Sequence, residues 1–300
     1  MNPKFSTVDT IDLDLEGFKG ELFPVSTNQE SKAVLIAVGG LKDKKVLRPM
    51  ARYFNEKNIA VLIVYFYGGG MLQLNQNLIP IEYVEAAVSH LRDAGYHRIG
   101  ITGLSKGAEY ALLSASKIAD IEVVLAFSPS HCVWEGEISS DGLFKTRASG
   151  EAGFSWRNKP LPFLNYSFSA TKMLKVSLLQ REMTCEKVFR EAINKSNNYA
   201  DIAVENIGGD VFLFSAERDT IFPSSDASQR IVERLENNKF DHDYKSYVYK
   251  YASHVLLPIY IKGQKLLFKV ERQYPDECKK MREKLNADIE GVLNGWNAKN

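Results

Sequence analysis

The stretch RIGITGLSKGAEYALLSAS, residues 98–116, limits this chain to few folds. An apolar strand pattern runs up to Leu104, and a helical pattern begins at Lys106, with only Ser105 between them. A strand that turns into a helix without a linker must bend sharply. Gly103 and Gly107, two residues to either side of the serine, leave the space such a bend needs. The bend lifts the serine hydroxyl above a sheet and aims the next backbone amide, that of Lys106, at the same point. At a helix N-terminus that amide can stabilise an oxyanion. The plainer reading of the pentapeptide is a glycine-flanked serine that caps a helix.

The rest of the chain repeats the strand-then-helix alternation. The strands are expected at 32–40 (KAVLIAVGG), 59–70 (IAVLIVYFYGGG), 98–105 and 121–130 (IEVVLAFSPS), then at 210–219 (DVFLFSAERD) and 244–254 (YKSYVYKYASH). Helices are expected at 46–58, 79–95, 106–119, 224–237 and 276–295. The strands are apolar throughout rather than alternating, the signature of a parallel sheet covered on both faces. In the helix at 79–95, Val84, Ala87, Val88 and Leu91 share one face. The first 30 residues alternate and predict two exposed antiparallel strands. The fold class is therefore α/β, a mostly parallel central sheet with helices on both faces, forming one domain over residues 1–300. The rhythm breaks after Cys132. An insertion at about 135–205, with a helical run near 170–197, is expected to cap the strand ends.

Composition narrows the function classes. A formal net charge of +1 gives no electrostatic reason to bind nucleic acid or an acidic membrane surface. No apolar run reaches the length of about 18–20 residues needed to span a bilayer. The N-terminus lacks the basic start and apolar core of a signal peptide. The three cysteines, Cys132, Cys185 and Cys278, have neither metal-ligand spacing nor an even count for disulfides. The expectation is a cytoplasmic protein acting on a small molecule, without metal or cofactor.

A serine hydroxyl needs a base. Of the five histidines, His90 and His97 flank a helix end, His131 follows Ser105 closely, and His242 lies in a polar loop. His254 follows the last strand and fits the order nucleophile, acid, histidine. The acid expected between them is Asp219, just past the strand VFLFSA in a turn closed by Pro223; Glu217 competes. Such an aspartate would hold the histidine tautomer and stabilise its imidazolium form. A second oxyanion donor is expected from the loop VGGLKDKK, as the amide of Leu41 or of Gly40. Lys42, Lys44, Lys45 and Arg48 follow directly, either as a solvated face or as a clamp for a phosphate-bearing leaving group. Trp156, Phe163, Tyr166 and Phe168, aromatic residues of the insertion, are candidates to line a substrate pocket.

Several segments, in order, resemble one family. They are IPIEYVEAAVSHLRDAG, IGITGLSKGAEYALLSAS, FSPSHCVWEG with FSWRNKPLPFL, VENIGGDVFLFSAERDTIFPSS and YASHVLLP. Together they are similar to the C-terminal hydrolase domain of acyl-CoA thioesterases and bile acid-CoA:amino acid N-acyltransferases, close to the dienelactone hydrolases. The likeness spans roughly residues 32–270. It implies the α/β-hydrolase fold, a triad at Ser105, Asp219 and His254, and cleavage or transfer of an acyl group held as a thioester. The acyltransferase branch carries cysteine as nucleophile, so serine here implies hydrolysis. In the full-length relatives a β-sandwich domain precedes the hydrolase domain, whereas here the first buried strand is expected near residue 32. The same machinery would also serve a carboxylesterase acting on a small ester, and a catalytically silent binding protein is the reading from another class.

Overall fold

Apolar side chains that alternate along a strand must leave on opposite faces, and here both faces are covered. Val34, Ile36 and Val38 join one core cluster while Ala33, Leu35 and Ala37 join the other; the next strand divides in the same way, Ala60, Leu62 and Val64 from Val61, Ile63 and Tyr65. This two-sided burial is what an uninterrupted apolar strand requires.

The computed structural model describes residues 9–25, 33–139, 146–166 and 170–299. The chain starts with β1 (Asp9–Ile11), α1 (Leu13–Glu16), β2 (Lys19–Phe23), β3 (Ala33–Gly39), α2 (Lys44–Asn55) and β4 (Ala60–Tyr65). Next come β5 (Ile79–Pro80), α3 (Glu82–Asp93), β6 (Arg98–Leu104), α4 (Lys106–Ala115) and β7 (Val123–Phe127). The segment that breaks the rhythm holds β8 (Glu135–Ser139), β9 (Thr146–Ala152), β10 (Phe154–Trp156), β11 (Lys159–Pro160), α5 (Ala170–Gln180) and α6 (Glu186–Asn194). The rhythm resumes with β12 (Asp210–Ala216), α7 (Ser224–Asn237) and β13 (Tyr244–Tyr249), and the chain closes with α8 (Gln264–Leu267), α9 (Lys269–Gln273) and α10 (Pro275–Ala298).

The main sheet is eight-stranded, in the order β1-β2-β4-β3-β6-β7-β12-β13. From β4 to β13 every neighbouring pair is parallel, whereas β2 joins β4 antiparallel and β1 joins β2 antiparallel. The chain moves outward one way from β3 to β4, then the other way from β6 to β7. That reversal opens a crevice at the carboxyl ends of β3 and β6, where open α/β sheets bind ligands. Helices α3, α4 and α7 cover one face, with Leu91, Leu112 and Ile231 buried. Helices α2 and α10 cover the other, through Phe54, Leu285, Ile289 and Trp296.

The edge of the sheet departs from the sequence expectation. β1 and β2 are antiparallel, but a short helix separates them and β2 is largely buried. Its Glu21 is 4 % exposed. Burial alone would push that carboxyl up. Contacts from Arg48 at 2.8 Å and Lys44 at 3.1 Å outweigh burial and hold it below the usual range. The helix expected from residue 79 begins at Glu82, because Ile79 and Pro80 are used as β5, which pairs parallel with β10.

Two glycines show why the bend after β6 tolerates so few side chains. A Cβ on Gly103 would sit 2.3 Å from the Gly107 carbonyl carbon and oxygen, and one on Gly107 would sit 2.7 Å from the Val38 carbonyl oxygen. Helix α4 therefore starts in backbone contact with β6 and β3. Gly103→Ala is expected to cost about 3 kcal/mol in urea denaturation, the upper range for overpacking. Gly291→Ala, in α10 with nothing within 4 Å of the added carbon, is expected to stabilise by about 0.5–1 kcal/mol. Equal stability of the two variants would contradict this reading of the bend.

Candidate active site

Ser105 follows β6 in a conformation that L-residues rarely adopt, φ 57° and ψ −116°. Its amide still donates to the Phe127 carbonyl at 2.9 Å, extending the β6–β7 ladder by one residue, and its carbonyl accepts from Glu109 in the first turn of α4. The serine is thus the last residue of the strand and the cap of the helix at once. A non-glycine residue held at positive φ stores on the order of 1–3 kcal/mol of strain, which the surrounding packing must hold in place.

Two loops, at the carboxyl ends of β12 and β13, bring Asp219 and His254 to this serine. His254 Nε2 lies 2.8 Å from Ser105 Oγ, and His254 Nδ1 lies 2.8 Å and 3.0 Å from the two Asp219 oxygens. The network assigns the Nδ1 proton to the aspartate side, which leaves Nε2 to accept from the serine hydroxyl. Asp219 and His254 are each 8 % exposed. The Asp219 carboxylate accepts from the backbone amides of Ile221 and Phe222 at 2.9 and 3.1 Å and from the Ser224 hydroxyl at 2.8 Å. Donors to the charged form make a buried carboxylate tolerable. The His254 backbone is held as well, since the Ser128 hydroxyl donates to its carbonyl at 2.8 Å. Ser128 itself has φ 48° at the end of β7.

The other histidines lie elsewhere. His90 pairs with Glu16 at 2.9 Å, and His242 lies 3.4 Å from Asp241. His131 is buried 4.0 Å from Asp201, and burial, with a contribution from Arg230, pushes its pKa down to about 4.

The expected backbone donors divide. Lys106 is the first residue of α4, and an amide there has no partner within its own helix. The Gly40 amide instead donates to Asp43 Oδ2 at 2.8 Å, and the Asp43 amide returns a bond to the Gly40 carbonyl at 2.9 Å. That ring engages the Gly40 amide, and Leu41 is the first residue of a short 3₁₀ turn (Leu41–Asp43).

Ser105 and His254 border a cavity of about 580 Å³. Leu47 and Met50 of α2, Trp134, Tyr166, Phe189 and Phe222 supply apolar walls, and Asp43, Glu109, Glu135 and Glu137 supply polar ones. A larger cavity of about 760 Å³ lies beyond the Asp219 loop, beside α6 and the start of α7. Neither Ser105 nor His254 borders it, so the chemistry selects the smaller one.

Of the aromatic candidates, Tyr166 lines the cavity, whereas Trp156 and Phe163 pack against the core beneath the sheet's α3 face. The cause is the β5–β10 pairing, which carries Trp156 away from Ser105 to lie under the Arg157 guanidinium at 4.1 Å. Phe168 falls outside the described residues. The lysine cluster is also placed elsewhere. The face of α2 that meets the cavity carries Val46, Leu47 and Met50, with Asp43 just before it, and spacings of three and four residues turn positions 44, 45 and 48 away. Lys44 and Arg48 are held by Glu21, and Lys42 and Lys45 are exposed. The Lys106 ammonium turns sideways, to Glu109 at 3.1 Å and over the Phe154 ring at 4.6 Å.

Sequence reasoning missed Trp134, Phe189 and Phe222, whose rings meet edge to face at centroid distances of 4.9, 5.7 and 5.2 Å. It also missed Ser128, Ser224 and the cavity carboxylates. A usable signal was present for Ser128, Trp134, Glu135 and Glu137, since SPSHCVWEGE follows β7 directly and so had to pass the strand end beside Ser105. Among the described residues no three His, Cys, Asp or Glu side chains are grouped to hold a metal ion, and no helix is long and apolar enough to cross a membrane.

Comparison with known proteins gives a family and a fold. The family model described as BAAT / Acyl-CoA thioester hydrolase C terminal matches residues 79–270. No curated protein matches the sequence significantly. Among solved structures the chain is similar to Est1E from Butyrivibrio proteoclasticus, at 14 % identity over 98 % of this chain and 100 % of that one, with a TM-score of 0.55. It is similar to the Pyrococcus furiosus esterase Pf2001 at 17 % identity over 97 % and 91 % of the two chains, TM-score 0.55. A putative dienelactone hydrolase from Klebsiella pneumoniae aligns at 12 % identity over 94 % and 97 %, TM-score 0.53. At these identities the structures establish the fold, that of the α/β-hydrolases.

Ser224 gives a direct test of how Asp219 is held. Its side chain is fully buried and its hydroxyl meets Asp219 Oδ2 at 2.8 Å. Ser224→Ala is expected to cost about 1–3 kcal/mol of stability by chemical denaturation, because it leaves a buried carboxylate short of a donor. A loss below 0.5 kcal/mol, on the order expected for a neutral surface change, would mean that Asp219 does not depend on it.

Proposed function

This chain belongs to the BAAT / acyl-CoA thioester hydrolase C-terminal family, and from that premise we propose that it is a serine hydrolase that cleaves an acyl thioester, with acyl-CoA as the substrate class, through Ser105, His254 and Asp219. The observation that carries the reading is the hydrogen-bonded line from Ser105 Oγ through His254 to the buried Asp219 carboxylate, with the strained serine bordering a cavity.

The mechanism follows from the geometry. Ser105 Oγ attacks the thioester carbonyl while its proton passes to His254 Nε2, and Asp219 stabilises the imidazolium through Nδ1. The carbonyl oxygen becomes an oxyanion facing the amides of Lys106 and Leu41. Collapse breaks the carbon–sulfur bond, and the Nε2 proton goes to the departing thiolate. Water, deprotonated by the same nitrogen, attacks the acyl-enzyme and releases the carboxylic acid, restoring the serine. The insertion, about 135–205, acts as the cap: Trp134 just ahead of it, with Tyr166 and Phe189 inside it, gives the acyl group an apolar wall.

One observation favours a second reading, a carboxylesterase acting on a small ester. Lys42, Lys44 and Lys45 do not border the cavity, and Lys44 is held by Glu21, so the phosphates of a CoA leaving group would find few cations at the mouth.

The test compares acyl-CoAs with p-nitrophenyl esters of matched chain length, alongside labelling by a fluorophosphonate. Ser105→Ala is expected to abolish labelling and to lower kcat by at least about 10⁴-fold on any substrate that is cleaved. Retained labelling or turnover in that variant would overturn the proposal. A higher kcat/KM for the ester series would select the second reading.

A further inference from the structure

The cavity beside Ser105 is walled by apolar rings, yet its polar lining has one sign. Asp43, Glu109, Glu135 and Glu137 border it, and among the described residues the single bordering cation is Lys106. That ammonium is paired with Glu109 at 3.1 Å. Glu109 also accepts from the Trp134 amide at 2.9 Å, Glu135 accepts from the Gly150 amide at 2.6 Å, and Asp43 accepts from Gly40. That bond uses Asp43 Oδ2 alone and leaves its other oxygen without a hydrogen-bond partner among the described residues. The same holds for Glu137 of β8: one oxygen accepts from the Tyr166 hydroxyl at 2.9 Å, and the other has no hydrogen-bond partner among the described residues.

Its position is fixed rather than incidental. The Gln76 and Glu137 backbones exchange hydrogen bonds at 2.8 and 3.0 Å. A Cβ on Gly136 would come within 2.5 Å of Asn77, so the strand is pressed onto that segment. The β8–β9 ladder carries a register shift between Glu135 and Glu137, and bulges of this kind re-aim side chains next to functional sites. The carboxylate field reaches across the cavity. Burial is the main cause that raises the Tyr67, Tyr166 and Cys185 pKa values, and the Glu137 charge adds to it in all three.

We propose that Glu137 is a specificity-determining residue, by which the site accepts a substrate carrying a protonated amine within the cavity and disfavours one carrying a carboxylate there. The inference rests on the Ser105 reading above and names the substrate class of that same site. A fixed carboxylate with an unused oxygen, on a wall whose one bordering cation among the described residues is already paired, supplies both the attraction and the repulsion. An ammonium placed on the acyl side and one placed on the thiol side of the scissile bond share this chemistry.

The test uses two sets of short thioesters. One set varies the acyl terminus as methyl, ammonium or carboxylate on an N-acetylcysteamine thiol. The other keeps a neutral acyl group and varies the thiol in the same way. Wild-type kcat/KM is expected to favour ammonium over carboxylate by about tenfold in at least one set, and that set identifies the side of the bond that enters the cavity. Glu137→Gln is expected to reduce the ratio at least fivefold. Calorimetric binding of the same compounds to Ser105→Ala reads the preference without turnover. Hydrolysis of the neutral members with equal rates across charge overturns this inference and leaves the serine hydrolase reading intact. No hydrolysis of any member, with a charge preference in binding, overturns the catalytic reading and sustains this one. A ratio unmoved in the folded Glu137→Gln variant shows that another group sets the preference.

Discussion

Everything at this site depends on how closely α4 approaches the sheet. The helix starts one residue after β6 ends, with the Gly107 backbone against the Val38 carbonyl and Gly103 beneath Gly107. The contact leaves no room for a longer turn, so Ser105 is forced to positive φ. Its hydroxyl is thereby raised above the carboxyl ends of the strands, where the loops after β12 and β13 can reach it. Ser128, at the end of the neighbouring strand, also has a positive φ, and it holds the His254 carbonyl. Two residues at positive φ on adjacent strands thus fix both partners of the Ser105–His254 contact, and the cores on either side of the sheet supply the stability that keeps them there.

The electrostatics follow from burial. The buried Asp219 side chain accepts hydrogen bonds from two amides and a hydroxyl. Glu109 is more extreme. Its burial pushes the carboxyl above the ordinary range, against Lys106 and the Trp134 amide, which pull it down. That pair turns the Lys106 side chain away from Ser105, and the amide of the same residue stays at the start of α4. The result is a cavity of apolar rings whose unengaged charge is negative, an unexpected lining for a family whose name invokes a polyanionic thiol. The phosphates of such a thiol would have to remain outside it.

Much of this was legible in the sequence, for physical reasons. The strand-to-helix bend needs glycines at fixed offsets, so Gly103, Ser105 and Gly107 announce themselves. Asp219 follows an apolar strand, and His254 follows the next strand, in the required order. The helix at 224–237 is found with the bounds that its pattern predicts. What failed was whatever depends on contacts between distant segments. Ile79 and Pro80 read as helix until β10 is seen to pair with them. The same pairing packs Trp156, partly buried, against the outside of the core, away from the cavity it was expected to line. Lys44 and Arg48 read as a free basic patch until Glu21, on a strand expected to be exposed, is found buried between them. Trp134, Phe189 and Phe222 come from three separate loops and helices, and no local pattern predicts that their rings meet.

The central claim is that Ser105 becomes covalently acylated. It is tested most directly by rapid quenching of the enzyme with an excess of a cleaved substrate, followed by peptide mass spectrometry. The account predicts an acyl mass increment on the peptide that contains Ser105, formed in a burst before steady state and absent in Ser105→Ala. Turnover with no adduct on that peptide, or with an adduct elsewhere, would contradict it.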